Sequence, residues 1–184
     1  MKNVFKAAIL STALVGVAGT AMATPEENLA ENAMAVSDFS TLVAAATATG
    51  LVNDLMGDGP YTIFAPTNEA FAALGTPEEL LMPENLPMLN RVLQAHIVPG
   101  MYTSDAIDIA LLNGTTDLSH PADVVDGVID FDTLSTTNLL LDKTGSYYNV
   151  TAKIGTDSNA QIVMPDIIAS NGVIHAIDKV LTVN

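Results

Sequence analysis

The chain has 184 residues, 6 Lys+Arg against 21 Asp+Glu, a formal net charge of −15, and no Cys. So acidic a chain lacks the Lys/Arg clusters that neutralise phosphates, which excludes nucleic acid as a partner and disfavours adsorption to anionic lipid. Without Cys there is no disulfide framework, no thiol nucleophile and no thiolate metal site.

The first residues read as an export signal. Lys2 and Lys6 give a basic start, residues 7–17 are mostly apolar, and Ala21-Met22-Ala23 supplies the small-x-small cleavage pattern. That run is too short and too rich in small residues for a membrane span, and no other segment is long and apolar enough. The reading is therefore a signal peptide over 1–23, a leader over 24–31 and one domain over 32–184, secreted or periplasmic, without membrane insertion. Removing 23 of 184 residues leaves 161, enough for a substantial core.

Along the mature chain, Asp38 is placed to cap a helix whose apolar face is Phe39, Leu42, Val43 and Ala46, with Gly50 at the left-handed stop. A short turn of helix over 51–56 is broken by Gly57-Asp58-Gly59-Pro60. Residues 61–65 read as a strand, after which Thr67 or Asn68 caps a helix over 69–74. Thr76-Pro77-Glu78-Glu79 is a capping box with Pro at the first helical position. A helix over 87–95 carries Leu89, Val92 and Leu93 on one face, and Ser104 is placed to cap a short helix containing Ile107 and Leu111.

Residues 113–132 read as the least regular stretch, holding Asp117, Asp123, Asp126, Asp130 and Asp132 around His120. The spacing is not that of an EF-hand, so the stretch reads as a solvated acidic loop rather than a calcium site. Short strands are expected over 139–141, 147–152 and 161–164, then a bend over 164–168. Asn171-Gly172 then opens a strand apolar on both faces: Val173, Ile177 and Leu181 on one, Ile174, Ala176 and Val180 on the other. That strand reads as the spine of the core. Helices dominate the first half and strands the second, which argues for an α+β fold.

His175 and Asp178 lie within this strand and read as hydrogen-bonded structural groups rather than a catalytic pair, since no nucleophile motif accompanies them. There is no Gly-x-Ser-x-Gly, no His-Glu-x-x-His and no phosphate loop. His96, His120 and His175 are far apart in sequence, so a metal site would need the fold to gather them. No catalytic residue, metal ligand or cofactor is expected. An exported hydrolase or a small-ligand or metal carrier therefore stands only as the alternative to the non-enzymatic binding or adhesion module that the family resemblance below implies.

Three blocks carry a family likeness: 59–71 (GPYTIFAPTNEAF), 93–103 (LQAHIVPGMYT) and 171–181 (NGVIHAIDKVL), with Asp38-Phe39-Ser40-Thr41-Leu42 and Gly50-Leu51 upstream. In this order and spacing they resemble the fasciclin domain, over about 32–183. The resemblance implies a β-wedge of two sheets with helices packed around one side. It also implies export and adhesion, through a cell-surface or matrix protein or glycan, without a cofactor. The compact signal and the lack of Cys point to a bacterial member. In animal members partner binding is tied to a Tyr-His pair and an Asp-Ile pair. Here Ala95 stands at the Tyr, His96 is kept, and Asp166-Ile167 stands where the second pair falls. His96, Asp166 and Ile167 are therefore the candidate partner-binding residues. The structural alternatives are a satisfied histidine at a helix end for His96 and a turn carboxylate for Asp166. The loop over 113–132 is longer than the family's usual one and is a second place for specificity. Oligomeric state is not legible in the sequence.

Overall fold

The computed structural model describes residues 27–57, 59–113, 122–135, 137–153 and 158–182. The signal-peptide reading lies outside these residues, as do His120 and Asp117 of the acidic loop. Helices α1 (Leu29–Ala35), α2 (Ser40–Thr49) and α3 (Val52–Leu55) lead into strand β1 (Tyr61–Pro66). Helices α4 (Asn68–Ala72), α5 (Pro77–Leu80) and α6 (Leu86–Ala95) follow, then β2 (Ile97–Pro99) and α7 (Ser104–Asn113). Six strands complete the chain: β3 (Ala122–Val125), β4 (Val128–Asp132), β5 (Asn138–Thr144), β6 (Tyr147–Ala152), β7 (Asn159–Ala169) and β8 (Gly172–Ile177). The fold is α+β, as expected.

The strands run β2-β1-β8-β7-β6-β5-β4-β3. β8 lies parallel to β1 and antiparallel to β7, so both its edges are paired, and all six of its residues are buried. Its two faces serve two cores. Ile174 and Ala176 join Ile63 and Ala65 of β1 beneath helices α1–α6, in a cluster that includes Leu29, Phe39, Phe71 and Leu93. Ile177 and Leu181 join Phe64 of β1 and the inward residues of β4 to β7 (Ile129, Phe131, Leu139, Val150, Ile162), closed by Ile107 and Ala110 of α7. A strand apolar on both faces is the pattern such a position requires.

β7 turns one half of the strand system against the other. Its first part pairs with β6 and sends Ala160 and Ile162 into the second core; its last part sends Ile167 and Ala169 into the first. Between them, Ile162 to Ile167 spans the partners Ile177 to Ile174, so β7 carries two more residues than β8 there. Extra residues bend a strand and strengthen its twist, which makes the corner of the wedge.

Several local signals act as read. Thr76 and Glu79 exchange both bonds of the capping box, Thr67 caps α4, and Gly50 closes α2 at φ 79°. Three do not. Asp38 lies in a 3₁₀ turn (Ser37–Phe39), and the start of α2 is served instead by Asn68, whose Oδ1 accepts from the Thr41 amide at 2.9 Å. Ser104 is itself the first residue of α7, and Thr103 Oγ1 accepts from the Ala106 amide at 3.3 Å. The stretch expected to be irregular ends in a hairpin, β3–β4, whose turn residues Asp126 and Gly127 have φ 53° and 77°. Two successive left-handed residues suit a tight hairpin, and Asp-Gly supplies them.

The Asn171-Gly172 turn is also a junction. Asn171 Oδ1 accepts from the Leu29 amide at 2.8 Å, and its Nδ2 donates to the carbonyls of Leu55 and Gly57, both at 2.8 Å. One side chain thereby fixes α1 and the end of α3 to the start of β8. α1 is part of the packed fold: Leu29 is fully buried, ahead of residue 32 where the domain was expected to begin.

Candidate functional site

The bend expected over 164–168 is the bulge of β7. Asp166 sits there with φ 61°, a left-handed conformation that Asp tolerates better than most residues. Surrounding bonds hold it there. Its carboxylate accepts from the Ser104 amide at 2.8 Å and from the Ser104 hydroxyl, which docks the start of α7. Its own amide donates to His175 Nδ1 at 3.2 Å.

That bond settles the histidine. With Nδ1 accepting, His175 Nε2 carries the proton and donates to the Tyr102 carbonyl at 2.7 Å. The ring is fully buried and stacks on Phe64 at 5.7 Å. Burial pushes its pKa down, against the opposing bond to Tyr102 and the charge of Asp166, and keeps it neutral. The turn after β2 is tied down in the same way: Thr62 Oγ1 donates to the Gly100 carbonyl at 2.8 Å and accepts from the Tyr102 amide at 2.9 Å. A continuous set of hydrogen bonds, buried at Thr62, Tyr102 and His175 and half-buried at Asp166 and Ser104, thus runs from β1 through the 100–102 turn to the bulge and the start of α7.

The outer side of the bulge is apolar. Val163 and Met164 are 57% and 38% exposed, and Pro165 beside them is exposed as well. Met101, in the turn tied to this network, is 40% exposed. A Pro in a strand cannot donate to the ladder, which is why it sits at the bulge.

The three sequence candidates occupy different situations. Asp166 is half-buried and committed to Ser104. Ile167, next to it, is buried in the helix-side core. His96 is 1% exposed at the end of α6; its Nδ1 donates to the Val92 carbonyl at 2.7 Å, and its Nε2 accepts from the Leu181 amide at 2.9 Å. Burial lowers its pKa to about 4, although the bond to Val92 opposes this, so the ring is neutral near pH 7. His175 and Asp178 do not form a pair: Asp178 Oδ1 accepts from the Gln161 amide at 2.7 Å. Among the described residues no group of three or more His, Cys, Asp or Glu side chains could hold a metal ion. The sequence marked the bend through Pro165 and Asp166, and Ser104 as a helix cap, but nothing in it joined Ser104, Thr62 and Tyr102 to that bend.

A small cavity lies within the helix-side core, between α1, α2, α3 and the sheet. It has a volume of about 30 Å³ and an almost wholly apolar lining that includes Ala33, Val43, Ala46, Val52 and Ile174, with half-exposed Met34 beside them.

This combination, a bulge-bent wedge of strands with helices over one side, is the FAS1 fold. The chain superposes on a FAS1 domain pair from the insect cell adhesion molecule fasciclin I with a TM-score of 0.65 at 16% identity, covering 85% of this chain and 51% of that one. The chain belongs to the fasciclin domain family, whose sequence profile matches residues 37–183. It is 34% identical over 183 residues to protein sll1483 of Synechocystis, covering 98% of this chain and 83% of that protein. It is also 30% identical over 143 residues to transforming growth factor-beta-induced protein ig-h3 of Sus scrofa, covering 78% of this chain but 17% of that much longer protein. No described helix is long and apolar enough to cross a membrane.

Proposed function

We propose that this protein is an exported, non-enzymatic binding or adhesion module whose partner-binding face is the bulge of β7. The observation that carries this reading is the rigid presentation of Val163, Met164 and Pro165 beside Asp166. An apolar strip held on a pre-ordered backbone binds with little further ordering. In this reading Asp166 and Ile167 set the shape of the face from beneath. His96 acts at a distance by holding α6 to the segment after β8. Residues 1–23 direct export and are removed, and the partner is a cell-surface or matrix protein or glycan. The family membership and the adhesion molecule among its structural neighbours support the same view.

The test is a pull-down from the producing organism's envelope and medium with the mature protein as bait. Met164→Glu and Val163→Glu change the exposed strip without touching the core and should weaken capture at least about tenfold, as for residues at the centre of an interface. Asp166→Ala with Ile167→Ala should reduce both capture and stability. A partner held equally by the wild type and the Glu variants would move the face elsewhere, with the 113–132 segment next to be tried.

The apolar concavity favours one form of the alternative, a carrier of a small apolar molecule. It has room for more than a single water, and a lining with almost no polar atoms offers water no partners. A short alkyl chain entering beside Met34 should raise the thermal midpoint in proportion to its concentration, and Ala46→Leu, which fills the space, should abolish that rise. No shift on titration with hexanol would remove the carrier reading.

A further inference from the structure

Six methionines lie in the described residues: Met34, Met56, Met82, Met88, Met101 and Met164. Each is between 38% and 60% exposed, and neither core contains a methionine. Methionine is among the residue types most often fully buried, so a domain that keeps every described one at its surface departs from the usual pattern. The six are distributed over the molecule. Met34 is on α1, Met56 caps α3, Met82 follows α5, Met88 is on α6, Met101 follows β2 and Met164 is on β7. Such a distribution does not make one docking patch.

The rest of the composition bears on what the exposed thioethers can do. The chain has no Cys and no Trp, so thioethers are its most readily oxidised side chains. The two described histidines and Tyr102 are buried. The net charge of −15 repels anionic oxidants but leaves uncharged hydroperoxides free to approach.

We infer that these methionines form a dispersed sacrificial layer that takes oxygen from uncharged hydroperoxides while the fold stays intact. In each event the thioether sulfur attacks the distal peroxide oxygen. An S–O bond forms as the O–O bond breaks, sulfur is oxidised by two electrons to the sulfoxide, and the proton of the transferred oxygen passes to the departing oxygen, so the peroxide is reduced to an alcohol or, from hydrogen peroxide, to water. The sulfoxide is polar. In a core it would disrupt packing, whereas on the surface its new oxygen faces solvent.

The experiment treats the mature protein with graded hydrogen peroxide and follows intact mass, peptide mass and thermal unfolding together. Six added oxygens on these six residues, with the unfolding midpoint moved by less than about 3 °C, is the expected result. A resistant subset, or unfolding that accompanies oxidation, overturns the inference; resistance caused by a covered docking face falls in that class. The protective role has its own readout. A methionine-containing bystander peptide should be oxidised more slowly in the presence of the wild-type protein. The variant with all six changed to Leu, which keeps an apolar surface, should give no protection. Equal bystander oxidation with both proteins overturns the sacrificial role even if all six sulfurs react.

Discussion

Gly172→Ala should prevent stable folding or lower stability by at least about 4 kcal/mol, the range reserved for changes that break a core element. Gly172 opens β8 directly opposite Tyr61 of β1, in the parallel pair at the centre of the molecule. A Cβ at this position would lie 1.9 Å from the Tyr61 carbonyl oxygen and 3.0 Å from Leu29 Cδ1. Backbone cannot yield as a flexible side-chain tip can. The strands would have to separate where β8 also holds β7 and covers both cores. Gly127→Ala is the matched control: its φ of 77° disfavours a side chain, yet nothing lies within 4 Å of the added atom. It should cost about 1 kcal/mol, the ordinary penalty of a left-handed non-glycine residue. Urea denaturation of the two variants beside the wild type decides the matter, and similar losses in both would refute the close packing of β1 on β8.

The second large effect is on pH. His96 is neutral in the fold with a pKa of about 4, against 6.5 for a free imidazole. Between these values the unfolded chain binds a proton that the folded one refuses, so stability rises with pH across the window from 4 to 6.5. The difference amounts to about 3 kcal/mol, present in full above pH 6.5 and lost as the pH falls towards 4. His175, also lowered by burial, adds with the same sign. The relief of repulsion among surface carboxylates near the sequence pI of about 4.1 acts in the opposite sense. Comparison with His96→Gln therefore isolates the ring. The variant should be less stable near pH 7, because one of the Val92 and Leu181 backbone groups loses its partner. Its deficit should then shrink as the pH falls through the window. A deficit constant with pH would mean that His96 is not held neutral.

Much of this protein was determined within short stretches of sequence. The Thr76 capping box, the Gly50 stop, the amphipathic face of α6 and the Asn171-Gly172 entry to a strand apolar on both faces all depend on neighbours a few residues away. The physics there is local: an unpaired amide, a left-handed backbone, a period of two or of 3.6. The hairpin β3–β4 was legible in the same way, through Asp126-Gly127 between apolar residues. The number of acids in the stretch masked it, although Asp130 and Asp132 belong to strand β4 rather than to a loop.

Tertiary structure decided the rest. The start of α2 is capped from 27 residues away by Asn68, and α7 is docked by Asp166 from 62 residues away. Both join groups that chain order cannot bring together, whereas local pattern offers only the nearest suitable residues, Asp38 and Ser104. His96 carries the same lesson. Its position at a helix end is plain from sequence, but its burial depends on Leu181, 85 residues on, reaching its Nε2. The sequence could mark Pro165-Asp166 as a bend, since proline gives up a ladder bond and Asp accepts a left-handed backbone. That the bend is the corner of a wedge, with an apolar strip outside and a buried network beneath, depends on β8 pairing with β1 on one side and β7 on the other, contacts set by packing rather than by any local preference.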